Sequence, residues 1–214
     1  KYNWNHAISE NFKLNYGVEG LYYDFNPGTV KPFGIDSQYN YNQLDKKYAL
    51  ETAAYLDVEN QITEKLNLRY GLRYSMFNRL GGESINIYEN GEAVVYDPLY
   101  HIYEDGTPIG STYYGKGKTI STFTNFEPRL ALSYACNDET SVKASYNRMA
   151  QYIHMLSNTR APLPMTIWTP SGPFTKPQLL DQYAVGYFKN FKEQEYSFEG
   201  ELFYKKIQNR IDYI

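Results

Sequence analysis

The sequence predicts an all-β fold, a transmembrane antiparallel β-barrel, and three observations support that prediction. Segments of strictly alternating polarity recur along the chain, the connections between them fall into short and long classes, and aromatic residues are abundant. The 214 residues include 24 Tyr, 11 Phe and 2 Trp, yet the mean hydropathy is −0.61. A wall one residue thick, with lipid on one face and water on the other, accounts for both values.

The clearest alternating segments are two strands between residues 126 and 149, joined by the polar turn Asn137-Asp138-Glu139. A short turn between two such strands predicts an antiparallel hairpin. The first strand has one apolar face, which carries aromatic residues near its ends, and one polar face with charges of both signs. The apolar face comprises Phe126, Pro128, Leu130, Leu132, Tyr134 and Cys136, and the polar face comprises Glu127, Arg129, Ala131, Ser133 and Ala135.

Six further segments alternate in the same way, which gives eight predicted strands in all. The eight segments lie near residues 2–8, 12–22, 50–58, 66–76, 126–136, 142–147, 183–187 and 196–204. On the face opposite the apolar residues they place several charges, which we expect to point into a water-filled lumen because charges facing lipid are costly. These predicted inward residues are Lys13, Glu51, Asp57, Arg69, Arg73, Arg129 and Lys143.

The connections alternate between short turns and long loops, as they do between the periplasmic and extracellular ends of an outer-membrane barrel. The turns are Ser9–Asn11, Asn60–Lys65, Asn137–Glu139 and Asn190–Gln194, and the loops of about 21, 45 and 23 residues are Asn26–Lys46, Leu80–Thr124 and Ser157–Leu179. Near the turns, Phe12, Tyr134, Tyr187 and Tyr196 are expected to form a periplasmic aromatic girdle. Four turns and three loops predict that residues 1–214 are part of a larger barrel, with its C-terminal strands outside this sequence.

The longest loop carries a hairpin signal of its own. Ile85–Tyr88 and Val94–Tyr96 are extended in character and flank Asn90-Gly91, a dipeptide that favours a type I′ turn. Asp105-Gly106 offers a weaker second turn. We therefore expect the segment 85–96 to form a hairpin that stands in the loop.

Several classes of function are disfavoured by the sequence. A net charge of −3 without a basic cluster argues against nucleic-acid binding, and no apolar run is long enough for a transmembrane helix. His6, His101 and His154 are scattered, and no nucleophile signature is found, so we expect neither a metal site, a cofactor nor an enzyme. The single Cys136 is interpreted as a small apolar residue of the outer face.

The sequence resembles the barrel domain of TonB-dependent receptors of the Bacteroidota. The resemblance runs over nearly the whole chain and is carried by short matching pieces. These are YGLRYS at residues 70–75, Glu127-Pro128-Arg129, Ser145-Tyr146, Gln151-Tyr152, Trp168-Thr169-Pro170-Ser171, Lys176-Pro177-Gln178 and Asp181-Gln182.

The resemblance implies a barrel of about twenty-two strands in the bacterial outer membrane, closed by an N-terminal plug domain outside this sequence. It implies ligand-gated uptake of a scarce nutrient of the siderophore, cobalamin, glycan or peptide class, driven by the proton-motive force through TonB. Its implied partners are lipid, TonB by way of the plug, the ligand and, in one branch of the family, a surface lipoprotein. A passive porin or structural barrel, and a soluble β-sandwich or propeller, remain as alternatives.

The loops supply the candidate ligand-binding residues, because aromatic faces beside a few charges suit stacking on sugars, aromatic siderophores or peptide side chains. The candidates are Tyr113, Tyr114, Tyr152, Met155, Arg160 and Trp168. A structural alternative stays open for Trp168, which with the neighbouring prolines could latch the loop against the barrel wall or the plug.

Overall fold

The computed structural model describes residues 1–34, 40–156, 167–191 and 195–211. Within these ranges no helix is long and apolar enough to cross a membrane. The secondary structure consists of β-strands, which confirms the all-β prediction. The strands are β1 (Tyr2–Ser9), β2 (Phe12–Phe25), β3 (Thr29–Val30), β4 (Asn42–Gln43), β5 (Lys47–Gln61), β6 (Leu66–Leu80), β7 (Glu83–Tyr88), β8 (Val94–Asp97), β9 (Ile102–Asp105), β10 (Pro108–Tyr114), β11 (Thr119–Asn137), β12 (Thr140–Gln151), β13 (Ile153–Leu156), β14 (Ile167–Pro170), β15 (Gln178–Phe191) and β16 (Tyr196–Gln208).

Eight of these strands form one antiparallel sheet in the order β1-β2-β5-β6-β11-β12-β15-β16. Each of these eight strands pairs with the next of the eight along the chain, so the sheet is a simple up-and-down meander. Because consecutive strands run in opposite directions, the short turns lie at one end of the strands and the three long loops lie at the other end. The predicted sorting of connections is therefore confirmed.

The predicted hairpin at residues 126–149 is formed by β11 and β12, with Leu130 opposite Tyr146 and Ala131 opposite Ser145. In its turn, the Glu139 backbone N–H donates to the Asn137 side-chain oxygen at 3.0 Å. An Asn side chain at this position mimics a backbone turn and tightens the reversal. Both strands extend past the predicted limits, and β11 already begins at Thr119.

The two faces of the sheet have the expected chemistry. On the apolar face, aromatic side chains of neighbouring strands contact each other, as for Tyr74 with Phe126 (5.0 Å between ring centroids) and Tyr146 with Tyr183 (4.8 Å). Phe126 is 62% exposed. Its neighbour Glu127, one residue further along β11, is buried on the opposite face. This alternation places the aromatic rows against lipid.

The predicted hairpin in the longest loop is wrong in its pairing. β7 pairs with β10 and β8 pairs with β9, so the chain reverses between Asp97 and Ile102. Gly91 does adopt a positive φ of 72°, and its N–H donates to the Tyr88 carbonyl at 3.0 Å, but this local turn does not reverse the ribbon. The reversal is instead stabilised by the Asp97 carboxylate, which accepts hydrogen bonds from the backbone N–H groups of Leu99 and Tyr100.

The two pairs form one continuous two-stranded ribbon, residues 83–114. Hydrogen bonds from Gly106 N–H to the Ala93 carbonyl (2.9 Å) and from Glu89 N–H to the Thr107 carbonyl (3.3 Å) join them. Gly106 does not make the weaker predicted turn. It lies at a close backbone approach, where an added Cβ would collide with the carbonyl oxygen of Glu92.

The other two loops contain short strand pairs. In the first, β3 pairs with β4. In the third, β13 pairs with β14. We call the β13–β14 pair, residues 153–156 and 167–170, the latch hairpin, and it is the feature that organises the candidate site.

Candidate functional site

The inner face of the sheet carries a charged cluster centred on Arg73 of β6. Its guanidinium lies 3.0 Å from Glu19, 3.3 Å from Glu51 and 3.7 Å from Glu127, which belong to β2, β5 and β11. The Tyr23 hydroxyl donates to Glu51 at 2.9 Å. Lys1 Nζ lies 3.9 Å from the Glu19 carboxylate, so two cations face three carboxylates and the cluster keeps a net charge of −1. The guanidinium suits this position because its planar array of N–H groups can serve several carboxylates at once.

A chain of hydrogen bonds runs from this cluster towards the loop edge. The Ser75 hydroxyl donates to Glu127 at 2.6 Å, and the Tyr152 hydroxyl lies 2.7 Å from the Ser75 oxygen. Asn125 donates to the Tyr152 oxygen at 2.9 Å. Because the Ser75 proton is used on Glu127, the Tyr152 proton is directed to Ser75. The chain therefore has a defined direction, which ends at the carboxylate next to Arg73.

Tyr152 also anchors the start of the latch hairpin by packing. Its ring stacks parallel to Phe77 of β6, with 4.8 Å between centroids and an interplanar angle of 3°. Together with Ala49 the two rings form the most buried apolar cluster of the described chain. Burial raises the pKa of the Tyr152 hydroxyl, so the group stays protonated and can donate.

The latch hairpin is further held by two polar contacts. His154 Nε2 lies 3.0 Å from the hydroxyl of Ser171, and both side chains are buried. Lys47 of β5 donates to the Thr169 hydroxyl at 3.1 Å. Burial lowers the pKa of the His154 imidazole, because a charged ring would lose its hydration there. The Lys47–Thr169 contact docks the hairpin against the wall, and the His154–Ser171 contact holds its two arms together.

Met155 and Trp168 are the two candidate residues that the structure brings together. They face each other as partners in the β13–β14 pair. Both are about half exposed. Trp168 also lines a cavity of about 190 Å³ with residues 24–27, at the end of β2. An exposed thioether and indole on one rim are suited to contact an apolar or aromatic ligand.

The other candidates lie elsewhere. Tyr152 is only 3% exposed, and its ring and hydroxyl are both engaged by the wall. Tyr113 and Tyr114 lie at the base of the ribbon, opposite Ser84 and Glu83, and Tyr113 is well exposed. Arg160 lies outside the described residues. Ligand contact by the six residues stays a prediction.

The latch interpretation fits the segment around Trp168 better than Trp168 itself. Trp168 is half exposed, whereas its neighbour Thr169 contacts Lys47 of the wall and Ser171 contacts His154 within the loop. Sequence reasoning also missed the roles of Glu19 and Ser75. Their polar character on the inward face was the only signal in the sequence, because the hydrogen-bond partner of each residue lies more than 50 residues away along the chain.

Acidification is expected to loosen the latch hairpin. His154 has a lowered pKa when docked, so the released hairpin binds a proton more readily, and docking weakens as pH falls below about 6.5. Docking is at full strength above that value. Amide hydrogen exchange in residues 153–156, measured across this pH range, checks the prediction. A His154→Gln variant should lose the pH dependence; if it keeps it, another group is responsible.

Comparisons with known proteins agree with this architecture. The family described as TonB dependent receptor-like, beta-barrel matches residues 1–214. Among solved structures, the FrpB iron transporter from Neisseria meningitidis (F3-3 variant) is similar, with 15% identity and a TM-score of 0.58. The match covers 97% of this chain and 27% of that chain, and at this identity it supports the fold alone. No curated protein matches.

Proposed function

Because the chain belongs to the TonB-dependent receptor β-barrel family of the bacterial outer membrane, we propose that it forms part of the barrel of an energy-coupled importer. In this proposal an N-terminal plug fills the lumen, and TonB acts on the plug with energy from the proton-motive force. The complete barrel has about twenty-two strands. Residues 1–214 supply a section of the wall and three of its extracellular loops.

The observation that best supports this proposal is the charged inner wall. Arg73 and Lys1 together do not balance the charges of Glu19, Glu51 and Glu127, so this cluster keeps a net negative charge at a fixed place on the wall. A plug held by polar contacts can exchange them for contacts with water, so it can bind the wall and still be moved. The charged side chains of the inner face also need water on that side of the sheet, because burying a charge away from water is costly.

The substrate is proposed to be a scarce nutrient of the siderophore, cobalamin, glycan or peptide class. Met155 and Trp168 would contact it on the rim of the latch hairpin, and Tyr113 and Tyr114 would do so from the ribbon base. A surface lipoprotein over the loops is a further proposed partner. The second candidate function is a passive pore, which the water-exposed inner face also suits.

Uptake by the full-length receptor tests the proposal. Cells that carry the receptor as their sole importer should take up the substrate only when TonB is present and the proton gradient is intact. The region that precedes this segment in the gene should encode a plug of roughly 100–150 residues. Conductance in planar bilayers without TonB, or uptake that survives a protonophore, would instead establish the passive pore.

Removing the Trp168 side chain is expected to weaken substrate binding by about tenfold, because an aromatic anchor in an interface is commonly worth more than 1 kcal/mol. Stability should change little, since half of the indole is exposed. Titration of the purified receptor with the substrate found in the uptake assay measures the effect. Trp4→Ala is the matched control. Trp4 is 44% exposed and pairs with Tyr16 on the outer face. Equal losses in both variants would remove Trp168 from the site.

A further inference from the structure

The ribbon, residues 83–114, extends from the loop edge of the sheet and leaves backbone groups unpaired. β7 and β10 form a sheet of two strands, as do β8 and β9. Each of the four strands therefore pairs on one side only among the described strands. Midway along the ribbon, Tyr88, which pairs with Pro108, meets Phe174 with 5.3 Å between ring centroids, and this contact ties the ribbon to the segment that follows the latch hairpin.

The outer half of the ribbon exposes large apolar side chains on both of its faces. Seven apolar or aromatic side chains in this half are 38–76% exposed. They are Val94, Val95, Tyr96, Leu99, Tyr100, Ile102 and Tyr103. Tyr96 and Tyr103 face each other across the strands, with 4.9 Å between ring centroids. Val94 lies on the same face as this pair, and an exposed apolar cluster of this kind on a surface element indicates a binding site.

The charge of the ribbon is wholly negative. Between residues 83 and 114 there are six carboxylates and neither Lys nor Arg. Glu83 pairs with Arg79 at the base. Among the described residues, none of the other five forms an ion pair; they are Glu89, Glu92, Asp97, Glu104 and Asp105. Apart from the Glu83–Arg79 pair, ion pairs within the described part of the chain therefore leave the acidity of the ribbon un-neutralised.

We propose that the ribbon binds an extended, cationic polypeptide segment. The open strand edges would accept it as an added strand through backbone hydrogen bonds. Carboxylates beside the strands would receive its Lys or Arg side chains, and the paired Tyr96 and Tyr103 rings would contact its apolar side chains and cations. An anionic lipid or a nucleic acid would be repelled by the same charges, and a neutral glycan has no use for open strand edges.

This inference concerns binding at the ribbon and does not depend on transport, so it can fail or hold separately from the importer proposal. The test uses the full-length receptor in detergent and a fluorescent peptide of alternating lysine and valine. Binding should weaken steeply as salt is raised, because screening shortens the reach of exposed charges. A peptide of alternating glutamate and valine should not bind.

Variants locate the site. The double variant Glu104→Lys with Asp105→Lys should bind the lysine–valine peptide at least tenfold more weakly. The double variant Tyr96→Ala with Tyr103→Ala should show a loss of the same size. Asp138→Lys with Glu139→Lys is the matched control, because it reverses two exposed charges at the opposite edge of the sheet. The milder Glu104→Gln with Asp105→Asn serves if the charge reversal impairs folding.

Four results would overturn the proposal. One is equal binding of the lysine and glutamate peptides. Another is unchanged affinity in the ribbon variants, and a third is an equal loss in the turn variant. A lysine–valine peptide with N-methylated backbone amides, which cannot add as a strand, should bind at least tenfold more weakly. Unchanged binding of that peptide would contradict strand addition.

Discussion

Replacing Arg73 with alanine is expected to destabilise the barrel wall by about 2–3 kcal/mol. The change leaves Glu19, Glu51 and Glu127 close together without their common cation. Removal of one partner from a buried ion pair costs roughly 3–5 kcal/mol. About a fifth of the Arg73 side chain is exposed, so water offsets part of that cost. Urea unfolding of the receptor in detergent micelles measures the difference.

Arg69→Ala is the control for Arg73→Ala. Arg69 lies on the same strand and the same face, two positions along the alternation, but it forms no ion pair among the described residues. Its loss should change the free energy of unfolding by less than about 0.5 kcal/mol. Similar losses for the two variants would show that the cluster around Arg73 contributes nothing beyond the charge of the wall.

Replacing Tyr152 with alanine should release the latch hairpin from the wall. The change removes a ring stacked on Phe77 and the hydroxyl bonded to Ser75 and Asn125. Loss of a buried aromatic ring costs roughly 3–5 kcal/mol. We therefore expect faster amide hydrogen exchange in residues 153–156 and 167–170, while the exchange of β11 and β12 stays slow.

Tyr152→Phe separates the two contributions. It keeps the stacked ring and removes the hydroxyl, so its effect should be about 1 kcal/mol. If Tyr152→Phe and Tyr152→Ala speed exchange equally, the hydrogen-bond chain and not the ring holds the hairpin. If neither changes exchange in the latch hairpin, the docking account is wrong.

The wall could be predicted from sequence because its determinants are local. Lipid and water lie on opposite faces of each strand, so every strand repeats the same alternation, as Leu130 and Ala131 do on β11. The residues at which the strands begin and end were less predictable. Residues 119–125 extend β11 beyond the apolar alternation, and their polar Thr, Ser and Asn side chains gave no two-faced signal.

The loops were less predictable because their pairing is not local. Asn90-Gly91 has the composition of a hairpin turn, yet β7 pairs with β10 far along the chain, and the Asp97 carboxylate sets the reversal. The same holds for the site. Tyr152 contacts Ser75 and Phe77 only because β6, β11 and β12 lie side by side in one register. A single sequence does not encode that adjacency in any local pattern.

The most direct test of the account is the environment of adjacent residues on β11. Fluorophores attached to cysteines at position 129 or 130, in a Cys136→Ser background, report lipid or water when the full-length receptor is reconstituted in vesicles. The account predicts that the label at 130 is quenched by spin-labelled lipid and the label at 129 by a soluble quencher. Quenching of both labels by the same agent, or the reverse order, would contradict the assignment of the Arg73 face to the lumen.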